Sequence, residues 1–392
     1  MSAPPLESPL RILIAFSDTG GGHRAAARHL QAAFERIGTP VSIELVDPYA
    51  MSGRWPFNRL QAAYPKVVGG AAWLWRTGFR LTNSRLVTAT AQLMAWPVLR
   101  RTFRGLREDR SPDVIVSTHP LLTSPLRRAF RETPIAVVVT DLVSGHVSWY
   151  HRLADLIVTP TRAASAQAMA GGVPRERVRE LGLPVDPSFA ARPHDRPILS
   201  APLGWSTERP TVLLIGGGDG VGPIEQLAEA IDRAGLPCDL AVVTGRNAAL
   251  ADRLRVRAWR GTVHVYGFVH ELGAMMRAAH TVVTKAGPGT ICEAFAAGCP
   301  VVLFGAIPGQ ETGNVDFVVN AGAGVWAPRV DQVVQTLTHW MIGEDGRGAW
   351  ARASAAALAA ARPQAADAIA AEVLSLATAA PPAARAPSSR AR

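Results

Sequence analysis

Short apolar runs recur along this chain, and each ends in a polar or glycine-rich turn. Leu10 to Phe16, Val41 to Val46, Asp113 to Ser117, Ile135 to Thr140 and Asp155 to Thr159 are mostly Val, Ile, Leu and Ala. Runs of that length and composition predict strands, most of them buried on both faces. The Ala-rich stretch from Arg24 to Ile37 predicts a helix after the first strand. From Arg54 to Arg110 no strand pattern appears. Helical patches such as Arg85 to Leu106 are expected there, broken by Pro56, Pro65 and Pro97, so the segment reads as an insertion rather than a core layer.

The alternation then restarts. Thr211 to Ile215, Leu240 to Thr244, Val263 to Tyr266, Val282 to Thr284 and Pro300 to Phe304 predict strands, with helices at Gly222 to Ala234 and Met275 to Ala279. Between the halves, residues 187–210 are rich in Pro, Arg and Ser and read as a linker. The expected division is an N-terminal domain over 1–186, that linker, a C-terminal domain over 211–380 that carries the Ala-rich C-terminal helices, and a disordered tail over 381–392. Strand–helix alternation in both halves predicts an α/β chain of two doubly wound, Rossmann-like domains facing a cleft.

Composition narrows this further. The 392 residues are 48% hydrophobic and 18% charged, as in a globular protein with full cores. No apolar run is long enough for a transmembrane helix, and no secretory signal is expected at the N-terminus. The three cysteines, Cys238, Cys292 and Cys299, lack zinc spacing and form no disulfide framework, which fits a reducing cytosol. The net charge is +10, and its placement is uneven: residues 54–110 hold eleven basic side chains against two acidic ones. Trp55, Phe57, Tyr64, Trp73, Trp75, Phe79, Trp96 and Phe103 lie among them. Basic residues interleaved with aromatics suit an anionic membrane surface or nucleic acid, or a plain solvated face over an aromatic core.

Candidate chemistry sits at the ends of the strands, where open α/β sheets bind ligands. Both halves begin with a strand, three glycines and a helix. In the first half, Gly20-Gly21-Gly22 precede His23. This is neither a Walker loop nor the dinucleotide pattern, since no Gly-Lys-Ser/Thr and no Gly-x-Gly-x-x-Gly follows. A neutral histidine at a helix start can accept a proton, or it can simply cap and pack. His119, Asp141, His146, Trp149 and His151 follow later strands and are expected to edge the same site. Trp149 either lines an apolar acceptor site or packs. In the second half, Gly216-Gly217-Gly218-Asp219-Gly220 and Lys285-Ala286-Gly287-Pro288-Gly289-Thr290 form glycine turns into helices. Thr290 reads as an N-cap with Glu293 completing a capping box. Free N–H groups there suit phosphate. The next loop, Pro308-Gly309-Gln310-Glu311-Thr312-Gly313-Asn314, is dense in groups that bind hydroxyls, so the pair of loops points to a nucleotide sugar.

These residues carry a family resemblance. The ordered set Ser17 to Arg24, Thr118-His119-Pro120-Leu121, Thr140-Asp141-Leu142, Gly182-Leu183-Pro184-Val185, Gly216 to Gly220, Gly245-Arg246-Asn247, Lys285 to Glu293 and Ile307 to Asn314 resembles the monogalactosyldiacylglycerol synthases and related diacylglycerol glycosyltransferases. More distantly it is similar to the bacterial glycosyltransferase that adds N-acetylglucosamine to a lipid-linked peptidoglycan precursor. The resemblance implies a GT-B fold, with a UDP-sugar in the C-terminal half and a lipid acceptor in the N-terminal half. It implies His23 as general base, with Gly21, Gly22, His119, His146 and Trp149 toward the acceptor. Glu293 would hold the ribose, and the main chain at Phe268 and Val269 would read the uracil. Gly216, Gly217, Gly218, Gly287, Gly289 and Thr290, with Arg246, would cradle the diphosphate, and Gln310, Glu311 and Asn314 would grip the sugar.

The implied activity is inverting transfer of galactose from UDP-galactose to 1,2-diacylglycerol at a membrane surface. UDP-glucose is the alternative donor, and a non-catalytic nucleotide-sugar or anionic-lipid binding protein is the reading from another class. No cofactor and no obligatory metal are expected. The expected partners are the UDP-sugar, diacylglycerol and an anionic membrane met by residues 54–110, not nucleic acid. The expected location is cytoplasmic, peripheral on the inner face of the cell membrane. One position departs from the family pattern: Asp186 stands where Gly-Leu-Pro-Val is usually followed by Arg, which either weakens the phosphate site or shifts the task of meeting the donor's charge to Arg192, Arg246 or another base.

Overall fold

The structure, a computed structural model, describes residues 9–18, 21–54, 57–59, 72–192, 195–218, 220 and 222–379. Thr19, Gly20, Asp219, residues 55–56 and 60–71 of the basic segment, and the tail expected to be disordered lie outside the described residues. The chain divides into two compact units, with breaks after Pro184 and after Pro363.

The first unit is built on six parallel strands: β1 (Leu10–Ala15), β2 (Val41–Val46), β3 (Val114–Ser117), β4 (Ile135–Val138), β5 (Leu156–Thr159) and β6 (Val178–Glu180). Their order is β2-β1-β3-β4-β5-β6. Side chains alternate across the sheet, so β1 sends Ile12 and Ile14 to one face and Leu13 and Ala15 to the other, and both sets are buried. Helix α1 (Gly22–Arg36) covers the first face through Leu30 and Phe34. The last described helix, Ala365–Ala379, joins it there through Ile369 and Val373. That placement corrects the expected domain division, which left the C-terminal helices with the second half. An apolar stripe on a helix follows the nearest uncovered sheet face, and this sheet lies in the other unit's sequence half. Arg36 and Asp367 tie the two helices at 2.6 Å.

The opposite face is covered by Arg85–Asp109, a single 25-residue helix that runs through Pro97. Its Leu99, Phe103 and Leu106 pack with Leu13, Ile115 and Ile157. The stretch is therefore a core layer, not the broken insertion that its prolines suggested. An internal proline costs a helix about 3 kcal/mol. Burying three large apolar side chains returns about 1.5–3 kcal/mol each, so packing outweighs the break.

The second unit spans Val185–Pro363. Its parallel strands are β7 (Thr211–Ile215), β8 (Asp239–Val243), β9 (Val263–Tyr266), β10 (Thr281–Lys285), β11 (Val301–Gly305) and β12 (Gly324–Trp326). The order β12-β11-β10-β7-β8-β9 is the Rossmann arrangement. The stretch 187–210, read as a linker, belongs to this unit's packing. Arg196 donates to Ala279 O at 3.0 Å and lies 4.9 Å over the Trp350 ring, and buried Trp205 donates to Tyr266 Oη at 2.8 Å. Polar composition hid these anchors. The three-residue strands β6 and β12 were too short to stand out in the sequence.

In each sheet one gap between neighbouring strands marks a reversal of strand order, between β1 and β3 in the first unit and between β7 and β10 in the second. Ligands of open α/β sheets bind outside the strand ends at such points. Among the described residues no helix is long and apolar enough to cross a membrane.

Candidate active site

In the first unit, β1 leads through Ser17 and Asp18 to Gly21, whose φ of 80° caps α1 in a conformation glycine adopts without strain. His23 is the second residue of that helix. Its Nδ1 lies 3.0 Å from Thr140 Oγ1, and its carbonyl accepts from the Thr118 hydroxyl at 3.0 Å. The ends of β3 and β4 thus fix both the backbone and the ring of His23. The His119 ring stands edge-on at 4.8 Å, and the Trp149 ring is 5.8 Å away. Burial drives the His23 pKa from 6.5 down to about 4, against a smaller opposite effect of the Thr118 hydrogen bond. Burial also pushes His119 well below the ordinary range, and His23 beside it adds to that. Both imidazoles are therefore neutral near pH 7. In the tautomer whose Nδ1–H donates to Thr140, the basic lone pair sits on Nε2, which has no hydrogen-bond partner among the described residues.

The residues expected around His23 separate into two groups. His119, Asp141 and Trp149 gather there. Trp149 is fully buried, however, and does not line a surface: its indole N–H donates to Asp141 Oδ2 at 2.6 Å. Its packing option is the one realised, because the ring belongs to the core that holds Leu122, Val137 and Ile157 and has no exposed face. His146 and His151 are engaged elsewhere. His146 contacts Ser148 at 2.7 Å and Thr82 at 3.3 Å, and His151 Nδ1 accepts from Leu153 N at 3.2 Å. Thr140, Thr118 and Tyr49 were not singled out as site residues. Tyr49 meets the His119 ring at 5.8 Å and donates to Leu121 O at 3.2 Å. A hydroxyl at the end of a buried strand was the available signal for Thr118 and Thr140.

In the second unit, β7 runs into Gly216-Gly217-Gly218. Gly217 has φ 74°, and Arg246 N donates to Gly218 O at 2.9 Å. Gly245 has φ 59°, and a Cβ there would fall 2.4 Å from Gly218 O, so two glycine turns are pressed together. On the neighbouring strand, β10 ends at Lys285 and the helix Pro288–Ala296 follows. Gly287 is its N-cap and Pro288 its first residue, which corrects the expected cap at Thr290: proline's fixed φ starts the helix three residues earlier. Glu293 is half-buried on that helix. Phe268, just past β9, is 55% exposed, while Val269 is half-buried.

Of the three residues expected to grip a sugar, only Gln310 is even partly exposed. Glu311 is buried, its Oε1 meeting Lys285 Nζ at 2.5 Å and its Oε2 accepting from Ile307 N at 2.9 Å. Asn314 is buried too. Its Nδ2 donates to Ala286 O at 2.9 Å, and its Oδ1 has no partner among the described residues. Lys285 was quoted within a motif but never assigned a role. Its signal is compositional: 39 of the 41 basic side chains are Arg, and only Lys66 and Lys285 are Lys. Asp186, at the family's Arg position, accepts from Ser188 N at 2.8 Å and caps the short helical turn Pro187–Phe189. Among the described residues no cluster of three or more His, Cys, Asp or Glu side chains is arranged to hold a metal ion.

The monogalactosyldiacylglycerol (MGDG) synthase family pattern matches residues 23–185, and the glycosyltransferase family 28 C-terminal domain matches residues 211–337. A probable monogalactosyldiacylglycerol synthase 2 of Oryza sativa subsp. japonica is 34% identical over 348 residues, covering 84% of this chain and 73% of the rice protein. The chain belongs to the monogalactosyldiacylglycerol synthase family. The monogalactosyldiacylglycerol synthase of Spinacia oleracea is 37% identical over 353 residues, covering 85% of this chain, which spans 66% of the spinach enzyme's length. Among solved structures, MurG of Acinetobacter baumannii superposes with a TM-score of 0.61 at 14% identity, covering 94% of this chain and 100% of that one. The fold is GT-B, in keeping with the Rossmann-like sheet of each unit. These family members of spinach and rice are named chloroplastic enzymes, which overturns the expected cytoplasmic location at the inner face of the cell membrane.

Proposed function

We propose that the chain transfers galactose from UDP-galactose to the free hydroxyl of 1,2-diacylglycerol, inverting the anomeric centre. The observation that carries the proposal is His23, a neutral imidazole fixed by Thr140 and Thr118 where the strand order of the first sheet reverses. His23 Nε2 takes the hydroxyl proton as the acceptor oxygen bonds to the sugar's C1. The bond from C1 to the diphosphate oxygen breaks in the same step, and UDP leaves. Backbone N–H groups of the loops at Gly216 to Gly218 and Gly287 to Thr290, with basic side chains, meet the charge on the leaving diphosphate, so the reaction runs without a metal. Phe268, exposed beside β9, offers its main chain and a ring face to the uracil. Anabaena Alr3699/HepE, solved in complex with UDP-glucose, shares the fold with a TM-score of 0.53 at 15% identity, covering 93% of this chain and 99% of that one.

The acceptor lies in a bilayer, and the helix Arg85–Asp109 is suited to meet one. Leu86, Leu93 and Met94 are exposed on its first half, and Arg100, Arg101 and Arg104 on its second. Apolar side chains and arginines on one free helix face match an anionic lipid interface.

The test is incubation with diacylglycerol in anionic liposomes, with UDP-galactose and UDP-glucose in parallel and with and without a chelator. A monohexosyl lipid formed from UDP-galactose in the presence of chelator is expected. Product from UDP-glucose alone reassigns the donor, and UDP binding without product from either sinks the transferase reading.

A further inference from the structure

The ion pair of Lys285 and Glu311 joins β10 to the loop after β11 in the second unit's glycine-lined site, and the sugar-binding expectation does not account for it. Lys285 ends β10, next to β7 at the point where the strand order reverses. A Cβ built on Gly217 would stand 3.6 Å from Lys285 Cε, and one built on Gly287 would stand 3.2 Å from Lys285 Nζ. The same side chain thus lies against both glycine turns, with its ammonium at Gly287. Glu311 holds it from behind. That carboxylate is 3% exposed, with one oxygen on Lys285 and the other on the Ile307 N–H. An ammonium has three N–H donors, and Glu311 is the one partner of Lys285 among the described residues, which leaves two. Asn314 Oδ1 is buried without a partner among the described residues, while Nδ2 of the same amide fixes the turn at Ala286.

We infer that Lys285 is the cation that binds the donor's diphosphate, and that Glu311 is its positioning residue rather than a sugar ligand. The inference rests on the UDP-sugar reading above. A lysine on a flexible stem is a poor preorganised donor by itself. A buried carboxylate fixes its direction before the nucleotide arrives, so less freedom is lost on binding. The carboxylate itself cannot turn to a sugar hydroxyl without leaving a buried charge unpaired.

The test compares binding of uridine, UDP and UDP-galactose by calorimetry. In the native chain UDP binds more tightly than uridine. Lys285→Met lowers affinity for UDP and UDP-galactose by about 10- to 100-fold, the scale of a charge-assisted hydrogen bond, and leaves uridine affinity as it was. Lys285→Arg restores part of the loss. Glu311→Gln changes UDP and UDP-galactose affinity by the same factor, because no sugar contact is removed. Equal weakening of uridine and UDP by Lys285→Met overturns the inference, since that is the mark of a disturbed fold. A loss confined to UDP-galactose in Glu311→Gln also overturns it, by returning Glu311 to the sugar. A native chain that binds none of the three ligands sinks the UDP-sugar reading itself, and the inference with it.

Discussion

The indole N–H of Trp149 donates to Asp141 Oδ2 at 2.6 Å inside the core of the first unit. A hydrogen bond to a charged group contributes about 1.5–3 kcal/mol. Trp149→Phe keeps an aromatic ring beside His23 and removes the donor. Stability is expected to fall by about that amount in urea unfolding, and kcat with it, while the acceptor KM holds. A change confined to acceptor KM would restore a lining role for Trp149.

His23 sets a pH dependence whose sign is fixed by burial. Its pKa is about 4 in the folded chain against an ordinary 6.5, and His280 is lowered to about 4 for the same reason. Above pH 6.5 these groups are neutral whether folded or not and contribute nothing. As pH falls from 6.5 toward 4, the unfolded chain takes up protons that the folded chain refuses, so stability declines through that window. Thermal unfolding followed from pH 7.5 to 4.5 should show a falling Tm, with a shallower fall in His280→Gln. The acid limb of kcat/KM should lie well below pH 6.5. A limb at 6.5 that disappears in His23→Gln would mean that His23 is hydrated rather than buried.

His23→Ala is expected to cut turnover by about 10² or more, the scale of a general base. UDP affinity should stay as it is, because the role proposed for His23 is to take the acceptor's proton, not to hold the nucleotide. Unchanged turnover would remove His23 from the chemistry.

Gly245 holds φ 59° with its Cα against Gly218 O. In Gly245→Ala a left-handed conformation costs about 1–3 kcal/mol, and the methyl pushes the 216–218 turn away. UDP affinity is expected to drop further than the loss of stability alone explains. Native UDP affinity in that variant would show that the turn does not carry the phosphates.

Asp186→Arg removes the cap on Ser188 N, at about 0.5–2 kcal/mol of stability, and returns a cation to the family's position. A lower Tm with tighter UDP binding is the expected pair of results. Weaker UDP binding would mean that the cap shapes the donor site and that its charge is secondary.

Charge reversal of Arg100, Arg101 and Arg104 should release the chain from anionic vesicles, since each near-surface charge contributes about 1 kcal/mol. Retention of the triple variant at native levels in a sedimentation assay would place membrane contact elsewhere.

The sequence alone determined ten of the twelve strands, all but the three-residue β6 and β12, because parallel strands buried on two faces are written as continuous apolar runs. Leu10 to Phe16 and Thr211 to Ile215 could be read that way with nothing else in hand. It also marked the glycine-rich turn before the helix that begins at Gly22, since three glycines before a helix are a local statement about backbone. What only the tertiary structure decided is every feature whose cause lies far along the chain. Ala365–Ala379 carries an amphipathic pattern that says nothing of which sheet it covers, and it covers the first. Arg85–Asp109 survives Pro97 because Leu99, Phe103 and Leu106 find a core. Trp149 and Glu311 look like ligand-binding groups in a motif, and burial turns both into supports, one through Asp141 and the other through Lys285. Spacing along the chain reports which groups are present near a strand end. Whether a group faces solvent or another side chain depends on partners tens to hundreds of residues away, and only packing fixes that.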